Sequence, residues 1–303
     1  MIVAIAGRRA ATARILLDAA LGDAGHSYTA DPANADVVVL FDAADLSDLR
    51  QGAVVVAYAD DASVLEATRG LTTRVVTFGL SSGSEVRAES IESTLERTAF
   101  TMLRGESSTA VSVGIAGESV VPLVLAALVV AAVAETPGAR AIAALAGVDT
   151  AAPHDMQRDS LEGVIVIDDS GDTTPRGTAD ALKALAQFTT DGTRSVAVLG
   201  ELDLPADTDA LESREQHDRI GRLVVRLNVS RLVVVGQRAR HIHNAAGLEG
   251  SWDGESVLVD DLDEAYAVLN DFELATHDAS PAVVLVKTSG LTALINQPRR
   301  ATL

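Results

Sequence analysis

Near the amino terminus, six residues have the types and the order to hold an anion. Gly7-Arg8-Arg9-Ala10-Ala11-Thr12 follows the apolar run Ile2-Val3-Ala4-Ile5-Ala6 and leads into a helical pattern. A glycine turn between a strand and a helix gathers backbone N–H groups and the positive end of the helix at one spot. With two arginines and a hydroxyl in that turn, the chemistry on offer is weak phosphate binding through Gly7, Arg8, Arg9 and Thr12. A working phosphate loop also needs a lysine that reaches the β- and γ-phosphates. Ala10 and Ala11 supply neither that charge nor glycine's freedom in φ. Val37 to Asp42 is an apolar run ending in a carboxylate, the pattern of a strand that sets a metal opposite such a loop. The plainer reading is that Asp42 caps a turn.

A second set of polar residues lies further along. Asp168-Asp169, Glu201 and Lys287 each close or follow an apolar run. Pro175 stops the loop after the aspartates, His217 falls in an amphipathic stretch, and Ser289 stands two residues beyond Lys287. By type and place alone, these side chains fix turns and caps. Lys183 and Lys287 are the only lysines of the chain.

Several chemistries are excluded. There is no cysteine, hence no thiolate nucleophile, disulfide or cysteine-ligated metal. His241 and His243 are two apart, so on a helix they point in different directions, with no third ligand evident. They read as surface residues. No Ser–His–Asp order or G-x-S-x-G elbow stands out, because Gly83 and Gly105 lack the strand context it needs. No residue is assigned a catalytic or metal-binding role.

The elements that must position these residues alternate. Residues 2–6, 36–41, 53–57 and 74–78 are short apolar runs of the kind a strand buried on both faces shows. Between them, residues 10–21 (Ile15, Leu16 and Ala19 at helical spacing) and 62–68 read as helices. The second half repeats the scheme, with strands at 163–167, 195–199, 231–235, 256–259 and 282–286. Helices fall at 178–188, 212–227, 239–246 and 262–272, the second carrying Ile220, Leu223, Val224 and Leu227 on one side. Strands separated by helices predict parallel α/β sheets. A Gly, Asp, Thr and Pro cluster at 147–153 divides the chain into domains of residues 1–150 and 151–303.

Composition agrees. With 303 residues, 48% of them hydrophobic, the chain is long enough for two cores. A formal charge of −19 repels nucleic-acid backbones and anionic lipid, so neither is an expected partner. Residues 120–134 are fifteen without a charge, bounded by Glu118 and Glu135. A spanning helix needs roughly 20, so this is a helix buried against a sheet. The opening apolar run has no basic segment before it, which argues against a signal peptide. The expectation is a soluble, cytoplasmic protein.

The second half resembles the C-terminal, Rossmann-like domain of the Mur ligases. Within that family it is similar to the type that adds D-alanyl-D-alanine to a UDP-muramoyl tripeptide. Four stretches carry the resemblance: Gly163-Val164-Ile165-Val166-Ile167-Asp168-Asp169-Ser170 with Pro175; Val198-Leu199-Gly200-Glu201-Leu202; Glu215-Gln216-His217-Asp218-Arg219-Ile220-Gly221; and Val284-Leu285-Val286-Lys287-Thr288-Ser289. Each is weak alone, but their order and spacing match the family. The first half resembles a shortened, P-loop-like central domain of the same family. It does so through Ala59-Asp60-Asp61, through Arg74-Val75-Val76-Thr77-Phe78-Gly79, and through Gly117 with the alanine-rich segment after it. The family's N-terminal domain, which holds the UDP end of the substrate, has no counterpart in this sequence.

The resemblance implies a two-domain α/β fold and a reaction in which ATP and Mg²⁺ activate a carboxylate for attack by an amine. It also implies losses. The family's phosphate-loop Gly-Lys pair falls at about Ala10-Ala11. A carbamylated lysine of the central domain cannot form where no lysine precedes Lys183. The family's His-Asn … Asn segment reads Glu118-Ser119 … Pro122, and the arginine near the adenine reads Asp155, with Arg158 close by. The asparagine before Pro175 reads Thr174, and the preceding aromatic reads Gly171. Asp168, Asp169, Pro175, Glu201, His217, Lys287 and Ser289 are retained. The resemblance implies a pocket among them in which Lys287 faces the carboxylate of a ligand, beside the plainer reading of turns and caps. The expectation is a non-catalytic homologue that needs no cofactor. It would bind a cell-wall precursor, a small peptide or amino acid, or a partner protein of the wall pathway. The rivals are a divergent ATP-dependent ligase using Arg8 and Arg9, and a ligand sensor built around Asp169 and Lys287.

Overall fold

The computed structural model describes residues 1–23, 25–161, 164–189, 192–250, 252–270 and 282–295. The chain divides into two units, Met1–Ala152 and Pro153–Leu303.

In the first unit, β1 (Ile2–Ala6) leads through Gly7 into α1 (Ala10–Leu21), followed by β2 (Ser27–Thr29), β3 (Val37–Leu40), β4 (Val54–Tyr58), α2 (Ala62–Thr68) and β5 (Arg74–Gly79). Then come β6 (Val86–Ser93), β7 (Thr98–Arg104), β8 (Ser107–Val113), α3 (Val121–Val133) and α4 (Gly138–Ala146). One sheet has the order β2-β1-β3-β4-β5-β6-β7-β8. Strands β1 to β6 pair in parallel, whereas β6, β7 and β8 pair antiparallel. The predicted strands and helices of this half are all present. The stripe of α1 that faces the core is Ala13, Leu16, Leu17, Ala20 and Leu21, so Ile15 and Ala19 flank it. Helix α3 is buried almost all round, from Leu123 through Ala131, which is why its sequence shows no polar face. Among the described residues, no helix is long and apolar enough to cross a membrane.

The antiparallel part is the departure from an all-parallel sheet. Strands β6 to β8 bury only every second residue or so, as at Val86, Ala88, Phe100, Val111 and Val113, with Ser, Thr, Glu and Arg between them. Half-covered strands of this kind lack the continuous apolar run that marks a parallel one.

The second unit contains β9 (Gln157–Leu161), β10 (Val164–Asp168), α5 (Pro175–Phe188), β11 (Arg194–Leu199), α6 (Ala210–Arg226) and β12 (Arg231–Val235). It continues with α7 (Arg240–Gly247), β13 (Glu255–Val259), α8 (Leu262–Leu269), β14 (Ala282–Lys287) and α9 (Leu291–Ile295). The sheet order is β13-β12-β11-β14-β10-β9, parallel except for β9, which pairs antiparallel with β10. Gly163, expected to open β10, and residues 271 and 272, expected to close α8, lie outside the described residues. Helix α5 starts three residues earlier than predicted. Pro175 occupies its first turn, where a missing N–H costs nothing, and the Thr174 hydroxyl accepts from the Gly177 N–H. On α6 the core-facing stripe is His217, Ile220, Gly221 and Val224.

Candidate functional site

The opening turn is built tightly. Gly7 has φ +127°, and a Cβ there would lie 2.8 Å from Phe41 Cβ and 3.0 Å from Asp42 N, so glycine is required. Arg9, at the cap position of α1, has φ 63° and makes no side-chain cap bond. The Arg8 N–H donates to Asp42 Oδ2 at 3.1 Å, so the nearest anion to this turn is the protein's own carboxylate. The Thr12 side chain is 1% exposed, and its Oγ1 accepts from the Ala152 N–H at 3.0 Å.

In the second unit, the ends of β10 and β14 bring Asp168, Asp169 and Lys287 together. Lys287 Nζ donates to Asp169 Oδ2 at 2.6 Å and also to the Asp172 carbonyl, with Lys287 1% and Asp169 0% exposed. Asp169 Oδ1 accepts from the Met156 N–H at 3.1 Å. Asp168 Oδ1 accepts from the Ser170 N–H at 3.0 Å, and its Oδ2 lies 2.7 Å from His154 Nδ1. The segment 154–156 is thus pinned onto both carboxylates, which holds His154 (φ 66°) and Met156 (φ 52°) in the left-handed region. His154 carries no role in the sequence reading. Its fourteen-residue separation from Asp168 leaves no local pattern to find.

Burial alone would raise the Asp168 carboxyl, but the donors of Ser170 and His154 outweigh it and hold it below the usual carboxylate range. A depressed folded-state value contributes stability that is present at neutral pH and lost as the pH falls through that lowered range. Asp168→Asn is therefore expected to flatten the acid limb of unfolding, followed by Trp252 fluorescence between about pH 5 and about pH 2. Identical acid limbs in the two proteins would refute this.

Glu201 and His217 belong to a neighbouring feature. An open, polar cavity of about 530 Å³ lies beyond the end of β11, lined by Thr173, Glu201, Asp203, Thr208, Ser213 and Arg238 among others. Glu201 and Arg238 face each other at 3.5 Å, both well exposed. The Asp203 N–H donates to the Thr173 carbonyl at 3.0 Å, which joins the cavity to the loop held by Lys287. Arg238, Asp203, Thr208 and Ser213 were missed by sequence reasoning. Only Arg238, three residues past β12, stands near enough to a strand end to have been found that way. Ser289 is exposed in the turn after β14. His241 and His243 are partly buried on α7, and His243 Nδ1 pairs with the Ser256 hydroxyl at 2.7 Å. Among the described residues, no group of three or more His, Asp or Glu is placed to hold a metal ion.

The chain has known relatives. The UDP-N-acetylmuramoyl-tripeptide–D-alanyl-D-alanine ligase of Mycobacterium tuberculosis is 36% identical over 262 residues, covering 80% of this chain and 49% of the relative. That of Mycobacterium leprae is 38% identical over 205 residues, covering 62% and 38%. The chain belongs to the Mur ligase family. It spans about half the length of the curated relatives it matches. Among solved structures, MurF from Acinetobacter baumannii superposes with a TM-score of 0.78 at 16% identity, over 97% of this chain and 75% of that one. The MurF ligase of Thermotoga maritima in complex with ADP gives 0.72 at 15%, over 95% and 76%. No family model matches the sequence.

Set on a Mur ligase fold, the substituted positions have physical consequences. A Cβ at Gly171, where the resemblance puts an aromatic residue, would lie 2.7 Å from the His154 carbonyl oxygen. Segment 154–156 therefore occupies the space a larger side chain would need. Thr174, at the asparagine position, donates from Oγ1 to Asp172 Oδ1 at 2.6 Å and caps α5.

Proposed function

We propose that this chain is a Mur ligase homologue of peptidoglycan precursor synthesis that binds rather than transforms its ligand. In this reading it is a cytoplasmic protein that holds a precursor peptide, an amino acid or a partner of the wall pathway, with neither nucleic acid nor membrane as a partner. The observation that carries the reading is the state of the opening turn. Alanines stand at the Gly-Lys positions, the Arg8 N–H is taken by Asp42, and the Thr12 hydroxyl is turned inward onto Ala152. ATP and Mg²⁺, which the family implies, do not fit these residues, so no step is routed through them. The crowding of Gly171 by His154 and the capping role of Thr174 support the same conclusion from the second unit. The cavity at Glu201 and Arg238 is the candidate ligand site. Its carboxylates, guanidinium and hydroxyls suit a small molecule carrying both charges.

Arg8 and Arg9 favour the rival, a divergent ATP-dependent ligase, because they could stand in for the missing lysine. Thermal unfolding with D-alanyl-D-alanine, a UDP-muramoyl peptide or Mg²⁺–ATP separates the two. A ligand of the native state at a hundredfold excess over its Kd adds about 2.7 kcal/mol. The expected result is stabilisation by a peptide or precursor and none by Mg²⁺–ATP. A Mg²⁺-dependent ATP shift that Arg9→Ala abolishes would overturn the binding-only reading in favour of the ligase.

A further inference from the structure

His217 is 2% exposed on α6, and both of its ring nitrogens are engaged. Nδ1 lies 2.7 Å from the Ser213 carbonyl oxygen, which can only accept, so Nδ1 carries the proton. Nε2 lies 3.2 Å from the Leu202 N–H, which can only donate, so Nε2 is bare. The imidazole is thereby held neutral, in the Nδ1–H tautomer. Leu202 and Ser213 both line the cavity that holds Glu201 and Arg238, so one ring joins two of its walls.

We infer that His217 is the positioning residue of this cavity and that its protonation releases the Leu202 wall. A proton on Nε2 would face the Leu202 N–H, placing donor against donor. The bond is then lost, and a buried N–H is left without its acceptor. The wall 202–206 keeps its tie from the Asp203 N–H to the Thr173 carbonyl but loses its anchor to α6. His241 of α7 interacts electrostatically with His217, and Arg214 and Asp218 of α6 and Arg240 of α7 act in turn on His241, while Glu201, Asp203 and Arg238 line the cavity. The inference does not depend on what fills the cavity, because its readout is the wall itself.

The test is nitrogen and amide NMR of the full chain, titrated from about pH 8 down to the onset of acid unfolding. At the upper end the His217 ring is expected as the Nδ1–H tautomer. On acidification the Leu202 amide resonance should move along the same curve as the His217 ring, while amides in β12 stay still. Amide protection at Leu202 should drop about tenfold or more relative to β12. His217→Gln, whose side-chain amide can both donate to Ser213 and accept from Leu202, should keep the wall and remove its pH dependence. Should that variant fail to fold, the wild-type titration decides alone. The inference is overturned by an Nε2–H tautomer at high pH, by a Leu202 amide that ignores the His217 curve, or by a ring that stays neutral until the chain unfolds.

Discussion

Lys287→Met is expected to lower the unfolding free energy of the second unit by about 3–5 kcal/mol. The lysine and Asp169 are both almost completely buried, 2.6 Å apart, and the ammonium also satisfies the Asp172 carbonyl. Removing the ammonium leaves a carboxylate in the interior without its counter-charge, and that penalty exceeds what the intact pair contributes. Asp169→Asn added to Lys287→Met should recover more than half of the loss. The amide removes the stranded charge while its oxygen still accepts from the Met156 N–H. Urea unfolding followed by Trp252, the only tryptophan, whose indole N–H donates to the Val229 carbonyl, reads this unit directly. A loss below about 1 kcal/mol in the single variant is the size found for solvated surface pairs. It would mean that the ammonium is accessible, and would favour the reading in which Lys287 faces the carboxylate of a ligand.

Gly221→Ala is the second large effect, an expected loss of about 1–3 kcal/mol. On an exposed helix the same change would gain up to about 1 kcal/mol in propensity. Here the new Cβ would stand 2.3 Å from the Ile242 carbonyl oxygen and 2.9 Å from Ala245 Cβ, so α7 has to back away from α6. The obstacle is backbone, which cannot swing aside as a side chain would. Gly138→Ala makes the contrast, since nothing lies within 4 Å of a Cβ there and the substitution falls in the first turn of α4. Thermal melts followed by circular dichroism should show opposite signs for the two variants. A neutral or stabilising Gly221→Ala would show that the packing of α6 on α7 is looser than these distances.

Much of the scaffold is legible in the residues. Val37–Leu40 and Arg231–Val235 announce themselves as strands because a parallel strand buried on both faces leaves no room for a polar alternation. Gly7 reads as a turn that no other residue can make, and the absence of lysine before Lys183 is a fact of composition that no fold can repair. By contrast, β6 to β8 and β9 are half-solvated, so their apolar residues are too sparse to announce strands.

The site divides along the same line. Through the family motifs they stand in, Asp168, Asp169, Glu201 and Lys287 could be singled out by resemblance without coordinates. What each one faces could not. Lys287 meets Asp169 across 118 residues, and Arg238 meets Glu201 across 37. His154 reaches Asp168 only because two non-glycine residues accept a left-handed backbone. Residue type depends on local chemistry, and so survives in one dimension. Partnership depends on which strand ends the sheet order β13-β12-β11-β14-β10-β9 sets side by side, and only the folded chain decides that.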